Sequence, residues 1–336
     1  MMRRFFALLL AAVLALSLLA GCTKSQEDAQ QQTGTSSDVS MAVVVAGTFG
    51  DRSFYDSSKE GADRLAKDLG VQVKTIECNN VDHTQQIRNA ADAAGIVVLV
   101  GWEFYDVETV APEYPDVHFI WVDNATSAPV ANVLNITYAQ NEGSFLAGYI
   151  AAKMSQTGVV GAVGGEDTDT INDFIVGYTQ GAQYANSSIQ VETVYANTYD
   201  DPAVGKECAL TLHEKKADVV FQIASKTGDG VFQAAQEKGF YAIGVDSDQK
   251  YIADDVIICS MMKQVGNSIY EAVSDYISGD TSKWGTTWVA DMATGFIGIG
   301  YGEAGATQQV PDSLKSEVEE LAKKIVSGEI QVETTR

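Results

Sequence analysis

Aromatic and acidic side chains recur just after short β-branched runs in this sequence, and together these residue types can bind a flat, hydroxylated molecule. Aromatic rings stack on planar ligands, while carboxylates accept hydrogen bonds from hydroxyl or amino groups. The pattern therefore predicts a binding cleft for a neutral, flat small molecule. The residues that carry the pattern are Phe54, Trp102, Asp123, Tyr199 and Asp246.

The motifs that would indicate catalysis are weak. Residues 247–250 have the S-x-x-K spacing, and residues 226–228 spell the K-T-G of penicillin-binding enzymes. Their order along the chain is reversed relative to those enzymes, and no Ser-Asp-Asn lies between them. Residues 300–305 have the G-x-G-x-x-G spacing, but no βαβ unit follows them. We therefore expect a binding protein and not an enzyme.

The charge balance excludes several classes of partner. The chain has 22 Lys and Arg against 45 Asp and Glu, a formal net charge of −23. Such an acidic chain argues against binding nucleic acid or an anionic membrane surface through a basic patch. His83, His118 and His213 show no spacing that indicates a metal site. We expect neither a metal nor a cofactor.

Three cysteines lie beyond the N-terminal segment, and their odd number and wide spacing argue against a disulfide framework. Cys78, Cys208 and Cys259 each lie in or beside an apolar run. We expect all three to be buried core residues.

The N-terminal segment, residues 1–22, indicates where the protein works. Two arginines precede an apolar stretch, residues 5–18, that is too short to span a bilayer stably. The sequence LAGC at 19–22 is typical of a bacterial lipoprotein signal. Residues 23–40 are mostly polar and predict a disordered tether. We expect cleavage before Cys22, lipidation of its thiol and anchoring at the extracytoplasmic face of the cell membrane. A plain secretory signal peptide and a chance apolar start are the alternatives.

From residue 41 the chain alternates β-branched runs with amphipathic helical segments, and the pattern restarts after Ala139. Most runs are apolar on both faces, as in strands covered by helices on two sides. Two successive βα arrays predict an α/β protein of two doubly wound, Rossmann-like lobes with ligands at the carboxyl ends of the strands. The predicted strands are 41–46, 71–76, 96–100, 117–122, 132–136, 158–163, 189–194, 218–223, 241–245 and 256–260. The predicted helices are 55–69, 85–94, 142–154, 171–185, 202–215, 230–238, 264–276 and 313–327.

Eight short segments stand out in order along the chain. They are DRSF at 51–54, VGW at 100–102, FIWVD at 119–123, NEGSFLAG at 141–148, VGG at 163–165, DPA at 201–203, ADVVFQ at 217–222 and IGVDSDQ at 243–249. Together they resemble the basic membrane protein family of ABC transporter substrate-binding lipoproteins, which includes purine nucleoside receptors. The similarity extends from about residue 41 to residue 328.

The resemblance implies the type I periplasmic-binding-protein fold, in which the chain crosses three times between two lobes. We expect the crossings near Tyr138, Lys250 and Gly285. The first lobe would then comprise residues 41–138 and 251–285. The second would comprise residues 139–250 and 286–336.

The resemblance also implies a function. The family captures a nucleoside in the cleft and delivers it to a membrane permease driven by cytoplasmic ATPase subunits. This chain has no G-x-x-x-x-G-K-[ST] loop, so ATP hydrolysis would lie on another subunit. We expect capture of a nucleoside or related small molecule, with a purine nucleoside favoured. A sensor lipoprotein that signals to a membrane partner and a hydrolase acting on nucleosides are the alternatives.

Five residues match functional positions of the family. Phe54 and Tyr199 match two ring-stacking positions, one from each lobe. Asp123 matches a carboxylate that binds the base, Asp246 one that binds the ribose hydroxyls, and Lys263 a lysine near the sugar. These roles are implied by the resemblance.

Three further residues complete the predicted site. Trp102 would form part of the wall. Tyr55 stands where the family usually has Asn after the stacking ring, and Lys226 stands in a segment that is usually Gly-Gly. Lys226 would contact an anionic group of the ligand or pair with Asp123 or Asp246. Residues 45–46 also lack the acid that the family usually has there. Together these three departures predict a reshaped pocket.

Overall fold

The computed structural model describes residues 38–79 and 81–335. The predicted signal peptide, the lipidation site Cys22 and most of the predicted tether lie outside these residues. No helix within the described ranges is long and apolar enough to cross a membrane.

The first sheet contains six strands, all paired in parallel, in the order β11-β5-β4-β3-β1-β2. Its strands are β1 (Ser40–Val45), β2 (Gln72–Glu77), β3 (Ile96–Val100), β4 (His118–Val122), β5 (Val133–Tyr138) and β11 (Thr287–Ala290). All five residues of β3 are buried, as expected for a strand with helices on both faces.

The second sheet repeats this architecture with six strands in the order β12-β10-β9-β8-β6-β7. All its pairs are parallel except β10 with β12, which is antiparallel. Its strands are β6 (Val159–Gly164), β7 (Gln190–Tyr195), β8 (Val219–Ile223), β9 (Tyr241–Asp246), β10 (Ile257–Lys263) and β12 (Ile297–Gly300).

Helices connect the strands and cover the sheets. They are α1 (Phe54–Leu69), α2 (His83–Ala91), α3 (Val107–Val110), α4 (Gln140–Met154), α5 (Asp169–Ala185), α6 (Pro202–Glu214), α7 (Asp229–Lys238), α8 (Val265–Ile277) and α9 (Asp312–Val326). Short 3-10 turns lie at Trp102–Phe104, Ala111–Glu113, Ser225–Gly228 and Lys250–Ile252. The chain therefore forms two doubly wound α/β lobes, as the sequence predicted.

Local sequence determines where several helices begin and end. The Asp201 side chain accepts a hydrogen bond from the backbone N of Ala203 at 3.0 Å, and Pro202 occupies the first position of α6. Gly70 and Gly239 follow α1 and α7 in the left-handed conformation that ends many helices. These signals explain why the predicted helix limits agree closely with the structure.

The chain passes between the lobes three times. The first crossing follows Tyr138, where β5 of the first sheet leads through α4 to β6 of the second. The second follows Lys263, because α8 returns to pack on α1, with the Gly266 backbone N donating to Ser57 Oγ at 3.1 Å. The third lies between Ala290 and β12.

The crossings expected at Lys250 and Gly285 are wrong. Strand β10 pairs in parallel with β9, so residues 251–263 belong to the second lobe. Strand β11 pairs with β5, so residues 287–290 belong to the first lobe. The apolar pattern of β10 indicates a strand, but it contains no information about which sheet the strand joins. Strands β11 and β12 were not predicted, because both are short and lie in Gly- and Thr-rich sequence.

The three cysteines Cys78, Cys208 and Cys259 are free and buried, as predicted. Lys250 is also fully buried, and its ammonium group donates to Gln309 Oε1 at 2.6 Å and to the Asp254 carbonyl at 3.3 Å. This lysine therefore belongs to the interior of the second lobe, where it joins the segment after β9 to the segment before α9.

Candidate functional site

The carboxyl ends of the two sheets face one cavity between the lobes. Gly101 and Asp123, which follow β3 and β4, line it from the first lobe. Tyr199, Ser225 and Asp246, at the ends of β7, β8 and β9, line it from the second. Both lobes therefore contribute to this cavity, which we call the inner chamber, at the place where doubly wound sheets bind ligands.

Seven of the eight predicted site residues line the inner chamber. They are Phe54, Tyr55, Trp102, Asp123, Tyr199, Asp246 and Lys263. Lys226 instead lines an adjoining cavity, which we call the outer chamber, and pairs with Asp200, with 2.6 Å between Nζ and Oδ1. The outer chamber is lined by Gly47, Thr48, Asp51, Tyr55, His83, Trp102, Glu103, Glu166, Asn197, Thr198, Tyr199, Asp200, Ser225 and Lys226. The expected pairing of Lys226 with Asp123 or Asp246 is wrong, because the exposed lysine has a carboxylate partner on its own lobe.

The inner chamber is rich in aromatic groups. Phe54 and Tyr55 begin α1, and their ring centroids are 5.6 Å apart. Tyr199 lies against Gly165, where a Cβ atom would come within 1.9 Å of the Tyr199 ring. Glycine at position 165 is therefore required for this placement of the ring. Phe54 and Tyr199 line the chamber from different lobes.

Asp51 positions the two aromatic residues that begin α1. Its carboxylate is buried and accepts from the backbone N atoms of Ser53, Tyr55 and Asp56 at 3.0 to 3.1 Å. Burial raises the pKa of Asp51, and these hydrogen bonds oppose the shift. A further contact comes from the other lobe, because Ser225 Oγ donates to Asp51 Oδ2 at 2.9 Å.

The loop before α1 makes several contacts with the second lobe. The Ser53 hydroxyl donates to Asp246, and the Arg52 guanidinium pairs with Asp229. The Arg52 carbonyl also accepts from Gln249 Nε2 at 3.1 Å. Together with the Asp51–Ser225 bond, these contacts hold the two lobes together around the chamber.

Four non-glycine residues at the cleft have left-handed backbone conformations. The φ angles are 54° for Arg52, 72° for Asp123, 51° for Ser225 and 64° for Asp246. Such conformations cost of order 1–3 kcal/mol each and persist only where surrounding contacts hold them. Three of these four residues take part in the interlobe contacts described above, so the strain and the closed arrangement occur together.

Lys263 and Asp123 form an ion pair across the chamber. The Lys263 ammonium lies 2.6 Å from Asp123 Oδ2, and the lysine side chain is 2% exposed. The same ammonium lies 5.2 Å from the ring centroids of Phe54 and Phe174 and 4.9 Å from that of Tyr138. The carboxylate and the ring faces compensate for the loss of water around the charge.

Asp246 is buried beside this ion pair. Burial raises the pKa of the Asp246 carboxyl to about 6, while Lys263 and the Ser53 hydroxyl oppose the shift. Near neutral pH the group is largely a carboxylate, which can accept hydrogen bonds from ligand hydroxyl groups.

The inner chamber is also lined by residues to which sequence reasoning assigned no binding role. The polar and aromatic ones among them are Glu103, Thr168, Thr170, Phe174 and Ser225. Thr168 caps α5, the helix that follows β6, and Phe174 lies on its second turn. The position of Thr168 and Phe174 in the sequence could have indicated them, because the first turns of a helix that follows a parallel strand lie at the ligand-binding edge of the sheet.

Within residues 38–79 and 81–335, no group of three or more His, Cys, Asp or Glu side chains is arranged to hold a metal ion. The polar groups of the chamber are thus carboxylates, hydroxyls and one ammonium, which bind organic ligands through hydrogen bonds.

Comparisons with known proteins agree with this architecture. Residues 38–336 match the family of PnrA-like ABC transporter substrate-binding proteins. Basic membrane protein A2 of Borrelia garinii subsp. bavariensis is 31% identical over 298 residues, covering 87% of each chain. A solute-binding protein of an ABC transporter system from Aeropyrum pernix K1 is 27% identical, with a TM-score of 0.78 over 88% of this chain and 93% of its own. A further one from Conexibacter woesei is 26% identical, with a TM-score of 0.72 over 88% of this chain and 99% of its own. The predicted type I periplasmic-binding-protein fold is confirmed.

Proposed function

Because the chain belongs to the family of PnrA-like ABC transporter substrate-binding proteins, we propose that it captures a nucleoside, with a purine nucleoside favoured, in the inner chamber. It would release this ligand to a membrane permease that cytoplasmic ATPase subunits drive. The chain itself carries no phosphate-binding loop of the G-x-x-x-x-G-K-[ST] type. Its own role in this proposal is binding without turnover.

The observation that carries the proposal is the distribution of side chains in the inner chamber. Phe54 and Tyr199 line it from different lobes, which suits a planar base held between two rings. Asp246 and the Lys263–Asp123 pair supply acceptors and a donor within the same chamber. A sugar attached to a planar base needs this combination of aromatic and polar groups.

Location and anchoring form the second part of the proposal. The positive start, the apolar stretch and LAGC at 19–22 support export and lipidation at Cys22. The polar residues 23–40 would then tether the two lobes at the outer face of the cell membrane. A sensor lipoprotein would use the same lobes, and direct transport assays with the partner permease would separate the two roles.

The proposal is tested by calorimetry on the purified lobes, residues 38–336, with guanosine, inosine, adenosine, guanine and ribose. We expect saturable nucleoside binding, a melting temperature that rises with ligand concentration, and unchanged ligand after long incubation. Asp246→Asn should weaken nucleoside binding, and Asp200→Asn, which alters an exposed carboxylate of the outer chamber, serves as its control. No binding of any nucleoside would contradict the ligand assignment, and recovery of free base would favour the hydrolase.

A further inference from the structure

Glu103 occupies the boundary between the two chambers of the cleft. It lies on the 3-10 turn Trp102–Phe104 after β3, and it lines both the inner and the outer chamber. Four other residues also line both chambers: Tyr55, Trp102, Tyr199 and Ser225. A ligand that fills the inner chamber would therefore present its outer edge to Glu103.

The Glu103 carboxylate has unused hydrogen-bonding capacity. Among the described residues, no group donates a hydrogen bond to its Oε2 atom, which is buried. Oε2 lies where a side chain on residue 101 would be, since a Cβ there would come within 2.4 Å of it. Gly101, whose φ is 131°, has no side chain and therefore leaves room for Oε2. The Glu103 side chain is half-buried and lines both chambers, so a ligand N–H that reaches the carboxylate would gain a charge-assisted hydrogen bond.

Acidic groups lie near Glu103 from both lobes. Asp123 on the first lobe and Glu166 on the second both disfavour its ionisation, and Cys78, Tyr55 and Tyr199 also lie within electrostatic reach. His83 lines the outer chamber. The two nearby lysines are engaged elsewhere, Lys263 with Asp123 and Lys226 with Asp200. Burial and the two acids raise the pKa of Glu103 to about 7, while a hydrogen bond from its own backbone N–H opposes the shift.

We propose that Glu103 is a specificity residue that accepts a hydrogen bond from an N–H group on the outer edge of the bound ligand. This inference rests on the proposed nucleoside function and specifies which chemical group the ligand carries on the edge that faces Glu103. The ionised form of Glu103, with Asp123 and Glu166 nearby, favours a polarised N–H over a carbonyl or ring nitrogen, because those acceptors would face a carboxylate that has no donor. Guanosine, with a ring N–H and an amino group, fits this requirement, whereas purine riboside carries no N–H on its base.

The proposal couples binding to a proton. An N–H ligand binds the ionised form of Glu103, so any carboxyl that is protonated in the free protein releases its proton on binding. At pH 7 about half a proton would leave for each guanosine bound, because half of the groups are then protonated. The ionised fraction falls from about nine-tenths at pH 8 to about one-tenth at pH 6, so the apparent Kd should rise about tenfold over this interval.

Calorimetry in buffers of different ionisation enthalpy tests the proposal on wild type, Glu103→Gln and Glu60→Gln. Glu60 is an exposed glutamate on α1 and provides the matched control. Asp246 also titrates near this pH range and is unchanged in all three proteins, so only the difference between Glu103→Gln and wild type reports on Glu103. Melting temperature and far-ultraviolet circular dichroism check that each variant is folded.

We expect Glu103→Gln to weaken guanosine binding about tenfold at pH 8 and to leave purine riboside binding unchanged. At pH 7 it should release about half a proton less per guanosine than wild type and Glu60→Gln do. Wild type that binds guanosine and purine riboside equally would overturn the specificity role while leaving the nucleoside function in place. Equal proton release in wild type and Glu103→Gln would also overturn the role of Glu103 and leave the nucleoside function in place. Failure of wild type to bind either nucleoside would overturn both proposals.

Discussion

Ser225 Oγ donates to Asp51 Oδ2 at 2.9 Å, and the same carboxylate oxygen accepts from the Tyr55 backbone N at 3.0 Å. One oxygen atom therefore joins the second lobe to the first and also holds the start of α1. Since α1 begins with Phe54 and Tyr55, closure of the lobes and placement of the cleft aromatics depend on the same group. A ligand between the lobes would stabilise this arrangement by binding the closed state more tightly than the open one.

Loss of the interlobe contacts should shift the protein toward an open state. Ser225→Ala and Arg52→Ala each remove one side-chain contact between the lobes, worth about 1 kcal/mol. We expect a larger radius of gyration in X-ray scattering of the free protein and about fivefold weaker guanosine binding for each variant. Lys59→Ala, which removes an ion pair within α1, is the control. Unchanged scattering and affinity would mean that these contacts do not control closure.

Removal of either ring of the proposed clamp should weaken nucleoside binding. Stacking of a base on an aromatic side chain is worth about 1–3 kcal/mol, so Phe54→Ala and Tyr199→Ala should each reduce affinity tenfold or more. Tyr184→Ala provides a comparison, because Tyr184 is 54% exposed on α5 and does not line the chamber. Calorimetry with guanosine decides the matter. Affinity that stays at the wild-type level in Phe54→Ala would exclude the clamp.

Asp246 should discriminate a nucleoside from its free base. An amide cannot accept hydrogen bonds at both of its terminal atoms, so Asp246→Asn should lose at least one bond to a ribose hydroxyl. We expect the loss of affinity to be larger for guanosine than for guanine in parallel titrations. Similar losses for the two ligands would remove the assigned ribose contact.

The stability of the ligand-free protein should depend on pH through the same residue. The pKa of Asp246 is raised in the folded protein, from 3.8 to about 6, so its contribution to stability is present below pH 4 and is lost as pH rises through 6. Asp246→Asn should therefore be more stable than wild type at pH 7.5, by up to about 3 kcal/mol, and the difference should shrink toward pH 4. Urea unfolding at several pH values measures the difference in free energy of unfolding between Asp246→Asn and wild type. A difference that does not change with pH would contradict the raised pKa of Asp246.

Anchoring should require Cys22. Cys22→Ala removes the thiol that lipid attachment needs, so the variant should lose metabolic labelling by fatty acid and move from the membrane to the soluble fraction. Cys208→Ala, which changes a buried free cysteine of the second lobe, should retain both properties. Persistent labelling of Cys22→Ala would show that the lipoprotein interpretation is wrong.

The sequence alone determined the elements and most of the residues that meet in the cleft. Apolar runs such as β3 and cap signals such as Asp201-Pro202 are local, because they depend on neighbouring residues along the chain. Two βα arrays in succession then imply two sheets whose carboxyl ends hold the ligand site. This reasoning predicts that Phe54, Asp123 and Tyr199 lie at one cavity, as they do, although their roles in binding stay predictions.

Only the tertiary structure decided which sheet each late strand joins and how the side chains pair. Strand β10 belongs to the second lobe and β11 to the first, since pairing is set by contacts between segments that are distant in sequence. For the same reason the sequence could not show that Lys226 pairs with Asp200 while Lys263 pairs with Asp123. Glu103 has a buried oxygen without a donor because of how the β3 turn packs, and composition and spacing contain no record of that packing.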